Sequence, residues 1–87
     1  MELKDTIGMM QSFDYKERFK AEYHQTKIRY EKLKKLNTKI EAANCTMRKV
    51  EMPIFDCPEG LLKEQQHTMG NYLHVLELRA AIEGIEL

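Results

Sequence analysis

The chain has 87 residues, 43% hydrophobic and 32% charged, and its fourteen basic side chains balance fourteen acidic ones. That composition is too apolar for a disordered tail, and zero net charge removes the positive field that duplex nucleic acid attracts. A chain this short buries roughly 60% of its unfolded surface and is marginal alone, so a partner copy would help it.

Met1 to Thr6 carry acid early and lack a long apolar run, so neither a signal peptide nor a membrane span is expected and the protein is expected in the cytoplasm. Leu3, Ile7 and Met10 recur at helical spacing with Met9 alongside, which predicts a short amphipathic helix over about 2–11, under three turns and unstable alone. Ser12 is a good N-cap, Asp14 and Glu17 put acid in the following turn, and no Gly or Pro interrupts the chain until after Ala43. One long helix is therefore expected over about 13–43. Its inner stripe, Phe19, Tyr23, Thr26, Tyr30, Leu33, Asn37 and Ile40, alternates steps of four and three, the seam of an antiparallel pair. Two tyrosines, a threonine and an asparagine stand where Leu or Ile would pack better, so their polar atoms need partners, and Asn37 can fix register.

Residues 44–57 break the period, with Pro53, Pro58 and Gly60 as punctuation, and read as a connecting loop with a short strand-like piece allowed. Val50, Met52, Ile54 and Phe55 are too apolar for a free linker and are expected to fold back over the open end of the hairpin. Cys57-Pro58-Glu59 opens a last helix over about 58–84, stopped by Gly84. Its apolar residues make two stripes. Leu62, Met69, Leu73, Leu76 and Ala80 suit the hairpin seam; Tyr72, Val75, Leu78, Ile82 and Ile85 make a second face that the short first helix covers only in part. The expected fold is one all-α domain, a short N-terminal helix followed by a long antiparallel helical hairpin, assembled as a homo-oligomer.

Charge is unevenly placed. Between Lys16 and Lys39 nine basic residues face three acids, +6, whereas from Glu51 onward two basic residues face seven acids, −5. Either the two helices attract and orient each other, or part of the basic half faces a phosphate-bearing ligand. Catalysis is not expected: His24, His67 and His74 lack a nucleophile or carboxylate at a fixing spacing. Cys45, Cys57 and His67 fall short of four zinc ligands and the cysteines are expected as free thiols, so no metal and no cofactor are expected; the four glycines make no phosphate loop. What remains is Asp14 to Lys20 followed by Tyr23, Lys27, Arg29 and Tyr30, aromatic faces mixed with cations, which can stack a base and hold its phosphate.

The segment Asp14 to Tyr23, the run Arg29-Tyr30-Glu31-Lys32-Leu33, and the late block Leu62-Lys63-Glu64-Gln65, Met69, Tyr72-Leu73 and Leu76 to Ala80 resemble a family of very short phage proteins. These are the anti-CBASS sponges that counter cyclic-oligonucleotide antiphage signalling, together with gut-phage relatives. The resemblance implies a hexamer of helical hairpins that sequesters cyclic di- or trinucleotides in pockets shared between protomers, evading host immunity without catalysis. It implies an aromatic residue that stacks a base and a basic residue that holds phosphate, for which Tyr15 and Lys27 are nearest, with Arg18 and Arg29 in support. The competing expectation is a phage-type inhibitor that docks on a host defence protein through Val75, Leu78, Ile82 and Ile85.

Overall fold

The computed structural model describes residues 1–46 and 51–87, and among these the chain forms helices and no strand. Glu2 and Asp5 open it with a capping box, the Glu2 N–H donating to Asp5 Oδ2 at 2.8 Å. This starts a 3-10 turn, Leu3–Thr6, that widens into one α turn, α1, Ile7–Met10. The single α-helix expected over 2–11 is thus half 3-10. A segment of under three turns has few i to i−4 bonds to hold α geometry, and Thr6 commits its hydroxyl to the Leu3 carbonyl at 2.7 Å.

The long helix α2, Tyr15–Thr46, starts later than expected, capped by Asp14 rather than Ser12. Asp14 Oδ1 accepts the Lys16 N–H at 3.0 Å and its carbonyl accepts the N–H groups of Glu17 and Arg18. Asp14 also brings a negative charge to the positive end of the helix dipole. Ser12 serves the cap from outside: its Oγ accepts the Asp14 N–H at 3.1 Å and its carbonyl accepts the Arg18 guanidinium at 2.8 Å. At the other end α2 runs past residue 43 into the expected loop. Asn44 donates to Glu59 at 3.0 Å and Thr46 turns its hydroxyl back to the Ala42 carbonyl at 2.9 Å, so polar residues that suggest a loop are satisfied within a helix.

Val50 lies outside the described residues. Of its three apolar neighbours, Met52 and Phe55 are half-buried, but Ile54 is 99% exposed, so the expected return over the hairpin is incomplete. The last helix, α3, Glu59–Glu83, begins on the Pro58 carbonyl, which accepts the N–H groups of Leu61 and Leu62. It ends at Gly84, whose φ of 70° is the left-handed conformation that closes a helix without a Cβ clash. The Ile85 N–H then donates back to the Ala80 carbonyl at 2.8 Å, a Schellman turn that swings Ile85 under the helix end. Ile85 is therefore core, 7% exposed, and does not belong to the outer stripe.

α2 and α3 pack as an antiparallel pair around Phe19, Tyr23, Leu73, Leu76, Ala80 and Ile85, with Tyr30 against that cluster and Ile40 and Ala43 buried further along α2. The polar seam residues have partners: the Tyr23 hydroxyl donates to Glu77 at 2.6 Å, and Asn37 Nδ2 donates to the Leu62 carbonyl at 3.1 Å and to Gln66 Oε1 at 2.8 Å. Asn37 thereby ties a fixed point of α2 to the first turns of α3. The N-terminal segment packs on α2 alone and touches neither stripe of α3. Ala21, nearly wholly buried, lets it approach, and Gln25 Nε2 donates to the buried Thr6 hydroxyl at 2.9 Å.

The outcome is elongated, 50 × 25 × 18 Å, with a radius of gyration of 16.1 Å where a compact chain of this length gives about 12 Å. One seam carries most of the stability. Leu76, 2% exposed at its centre, is the sensitive position: Leu76→Ala should cost about 2–5 kcal/mol and lower the thermal midpoint measured by circular dichroism, whereas Lys63→Ala, exposed and off both apolar stripes of α3, should leave it nearly unchanged.

Candidate functional site

Three of the four sequence-predicted ligand residues share one side of α2, and Lys27 does not. With 100° and 1.5 Å per residue, Arg18 and Arg29 lie within about 20° of each other around the axis but about 16 Å apart along it. Tyr15 and Lys27 are separated by about 18 Å and about 120°. A ligand touching both within one protomer would have to bridge most of that separation between their backbones.

Tyr15 sits at the start of α2 beside the end of α3, half-exposed, with its phenol close to the Glu83 carboxylate. Glu83 also accepts Arg79 Nε at 2.9 Å, and the Arg79 guanidinium lies 4.8 Å from the centre of the Phe19 ring, a cation–π contact. Nearby, the Tyr72 hydroxyl donates to Glu22. The hydrogen bond from Arg79 holds the Glu83 carboxyl below the usual range, while partial burial and then the Glu83 charge raise the Tyr15 phenol. These charges neutralise one another, so this end of the molecule clamps the helices together. Next to it Phe13 is fully exposed, 103%, on the link between α1 and α2. Phe13 belongs to neither apolar stripe, and the signal in the sequence that points to it is an aromatic residue immediately before the N-cap Asp14.

Lys27 has a different environment. Its ammonium lies 5.6 Å over the Tyr23 ring, and no ion pair among the described residues engages it. It borders two openings. One, of about 220 Å³, lies between α2 and α3 and is lined by Tyr23, Tyr30, Glu31, Gly70, Leu73 and Glu77 as well as Lys27. Gly70 makes room there, since a Cβ at that position would stand 3.3 Å from Tyr30 Cε1. The other, of about 450 Å³, lies between α2 and the start of the chain. Arg29 points away from both, about 200° around the helix from Lys27. His67 and His74 are exposed on α3, and the thiols of Cys45 and Cys57 are exposed and free.

The outer face of α3 is the third feature. Val75 and Leu78 are half-exposed, Ile82 is 84% exposed, and Tyr72 borders them. Val75 and Ile82 are seven residues apart, the period of a helix-to-helix seam, and Leu61, also exposed, lies two such periods before Val75 with Thr68 between.

Tyr23 links seam and site, and burial followed by the Glu77 hydrogen bond pushes its phenol up to about 12. The folded state therefore favours the protonated phenol. Its contribution to stability is complete below about pH 10, the unfolded value, and is lost as pH rises through the folded one. Spectrophotometric titration should show Tyr23→Phe removing the last tyrosinate step, and the stability difference between the two proteins should shrink across that window.

Against known families, the model described as Sequestin matches residues 14–82, which takes in α2 and nearly all of α3 and leaves out the N-terminal segment. No curated protein and no solved structure matches the chain.

Proposed function

The chain belongs to the Sequestin family, a name that points to a binding role, and from that premise we propose that it sequesters cyclic di- or trinucleotide messengers of host antiphage immunity without catalysis. The observation that carries the nucleotide is Lys27, a cation with no ion pair among the described residues, set between two openings with the Tyr23 and Tyr30 rings beside it. A phosphate can take the ammonium while a base lies on apolar or aromatic wall, and nothing in the arrangement activates a nucleophile or a water.

Sequestration needs a closed site, and the separation of the aromatic N-terminal end, Phe13 and Tyr15, from Lys27 supports one shared between protomers. Surface area supports assembly too. The chain exposes 6396 Å², against about 5,400 Å² for a compact monomer of its mass, an excess of about 1,000 Å², comparable to the ~800 Å² each partner buries in a standard interface. In this reading the outer face of α3 joins the copies, with a hexamer as the assembly to test for. A second reading uses the same face: Val75, Leu78 and Ile82 dock on a host defence protein, and no nucleotide is bound.

Native mass spectrometry with a panel of cyclic di- and trinucleotides separates the two. A discrete oligomer gaining a whole-number set of ligands is expected; an oligomer or monomer that takes up none overturns sequestration of these messengers in favour of the protein partner. Lys27→Ala should weaken binding by roughly tenfold to a hundredfold, the worth of a charge-assisted bond to phosphate, with the helical circular dichroism spectrum intact. Ile82→Asp should dissociate the oligomer and weaken ligand binding in parallel if the site is shared.

A further inference from the structure

We propose that the phosphate-holding end of the ligand site is the cavity between the N-terminal segment and α2, where His24, Lys27 and Lys32 converge over an apolar floor. This deepens the nucleotide reading above by locating its anionic subsite. It applies to any ligand that presents a phosphate, the singly charged phosphodiester of a cyclic nucleotide included.

The cavity holds about 450 Å³, within the roughly 300–1,000 Å³ of small-molecule sites, and is lined by Met1, His24, Lys27, Ile28, Glu31 and Lys32. The lining residues of α2 advance along one side of that helix, next to the face on which the N-terminal segment lies. Ile28 and Met1 also border the adjoining depression toward Leu3 and Lys4, so the apolar floor continues beyond the cations. Two lysines oppose one glutamate, and Lys4, the cation across the depression, already pairs with Glu2 at 3.4 Å. The excess positive charge at the His24 end therefore belongs to Lys27 and Lys32.

His24 distinguishes this cavity from an ordinary lysine ridge. Its ring packs edge-on against Tyr23, centroids 5.3 Å apart, and is only half-exposed. Charged groups reach it from both elements packed there: Lys27 and Lys20 from its own helix and the amino group of Met1 from the N-terminal segment, with Glu31 the acid in the cavity wall. Lys20 is paired with Glu17 at 3.2 Å. Burial, then Lys27 and Lys20, lower its titration midpoint from the usual imidazole value. The empty protein thus favours neutral His24, and that contribution to stability, present above the unfolded value, is lost as pH falls through the folded one. A phosphate between Lys27 and Lys32 reverses the preference. It neutralises the cations that disfavour the imidazolium and offers an acceptor to its N–H, so binding takes up a proton and tightens as pH falls.

The test is proton NMR of the histidine rings in the full chain, titrated with inorganic pyrophosphate between about pH 5 and 8. His24 is assigned from His24→Gln, and His67 and His74 serve as internal controls. The His24 signal should move on adding pyrophosphate and its midpoint should rise, by about one pH unit for each tenfold preference for the imidazolium, while the α3 histidines stay still. Lys32→Gln and Lys27→Gln should each weaken the effect several-fold, and Lys34→Gln, outside the cavity, should not. Pyrophosphate changes its own charge over this range, but it does so equally for wild type and His24→Gln, so comparing how pyrophosphate affinity varies with pH in the two proteins, measured by calorimetry, isolates the ring. No movement of His24, or equal movement of all three histidines, overturns the proposal. The two readings fail separately. Cyclic nucleotides that bind without disturbing His24 overturn this subsite and leave sequestration standing, whereas pyrophosphate at His24 with no uptake of cyclic nucleotides keeps the subsite and removes that class of messenger.

Discussion

A pair of helices can hide only one stripe of each from water, and the chain is organised by what it does with the rest of each circumference. On α2 the second side is covered from within: Thr6, Ala21 and Gln25 bring the N-terminal segment down onto it. On α3 nothing in the described chain does so, and Val75, Leu78 and Ile82 stay in solvent. Burial at about 25 cal/mol per Å² makes that face the largest unused source of stability in a small, elongated molecule. It is the face that a partner, a second copy or another protein, would cover with most gain.

The seam is polar where a stability-optimised pair would be aliphatic. Tyr23 and Asn37 are each buried with their hydrogen bonds made, to Glu77 and to Gln66 with the Leu62 carbonyl. Once satisfied, such groups add little net stability, but any slip of one helix along the other would strand them, at a cost of about 1–3 kcal/mol each. They fix register. Register in turn sets which α3 residue meets the Tyr30 ring, and only Gly70 gives that ring room. The opening beside Lys27 is therefore a product of the same contacts that align the helices.

Much of the fold was legible because helical periodicity is a strong signal over thirty residues: the inner stripe of α2 and the Leu62 to Ala80 stripe of α3 are the ones that pack. What failed was local. Ser12 and Asp14 are both good caps, and only the actual path of the link chooses Asp14. Asn44 and Thr46 suggest a loop until Glu59 and the Ala42 carbonyl supply their partners. Ile85 continues the outer stripe on a helical wheel, but Gly84 ends the wheel one residue earlier and turns it inward. The site was less legible than the fold. Tyr15, Lys27, Arg18 and Arg29 rest on the family resemblance, and helical spacing alone, at 100° per residue, already sets Lys27 on another side of α2 from the other three. His24 and Lys32 became visible only once the N-terminal segment was placed against them.

The family match begins at residue 14, so the matched region holds the hairpin and the α2 wall of the His24 cavity but not its other wall. The two walls differ in character. The α2 side supplies Lys27, Lys32 and His24, charges that a phosphate needs whatever base it carries. The N-terminal side supplies Met1 and the apolar approach over Leu3, which on the proposed reading would meet the rest of the ligand. On the proposed reading the hairpin would provide the anion site and the leading segment the rest, and because Thr6, Gln25 and Ala21 hold that segment through small contacts on one helix, it could change without rebuilding the core. Affinity for phosphate would then reside in the hairpin, and selectivity in the first ten residues.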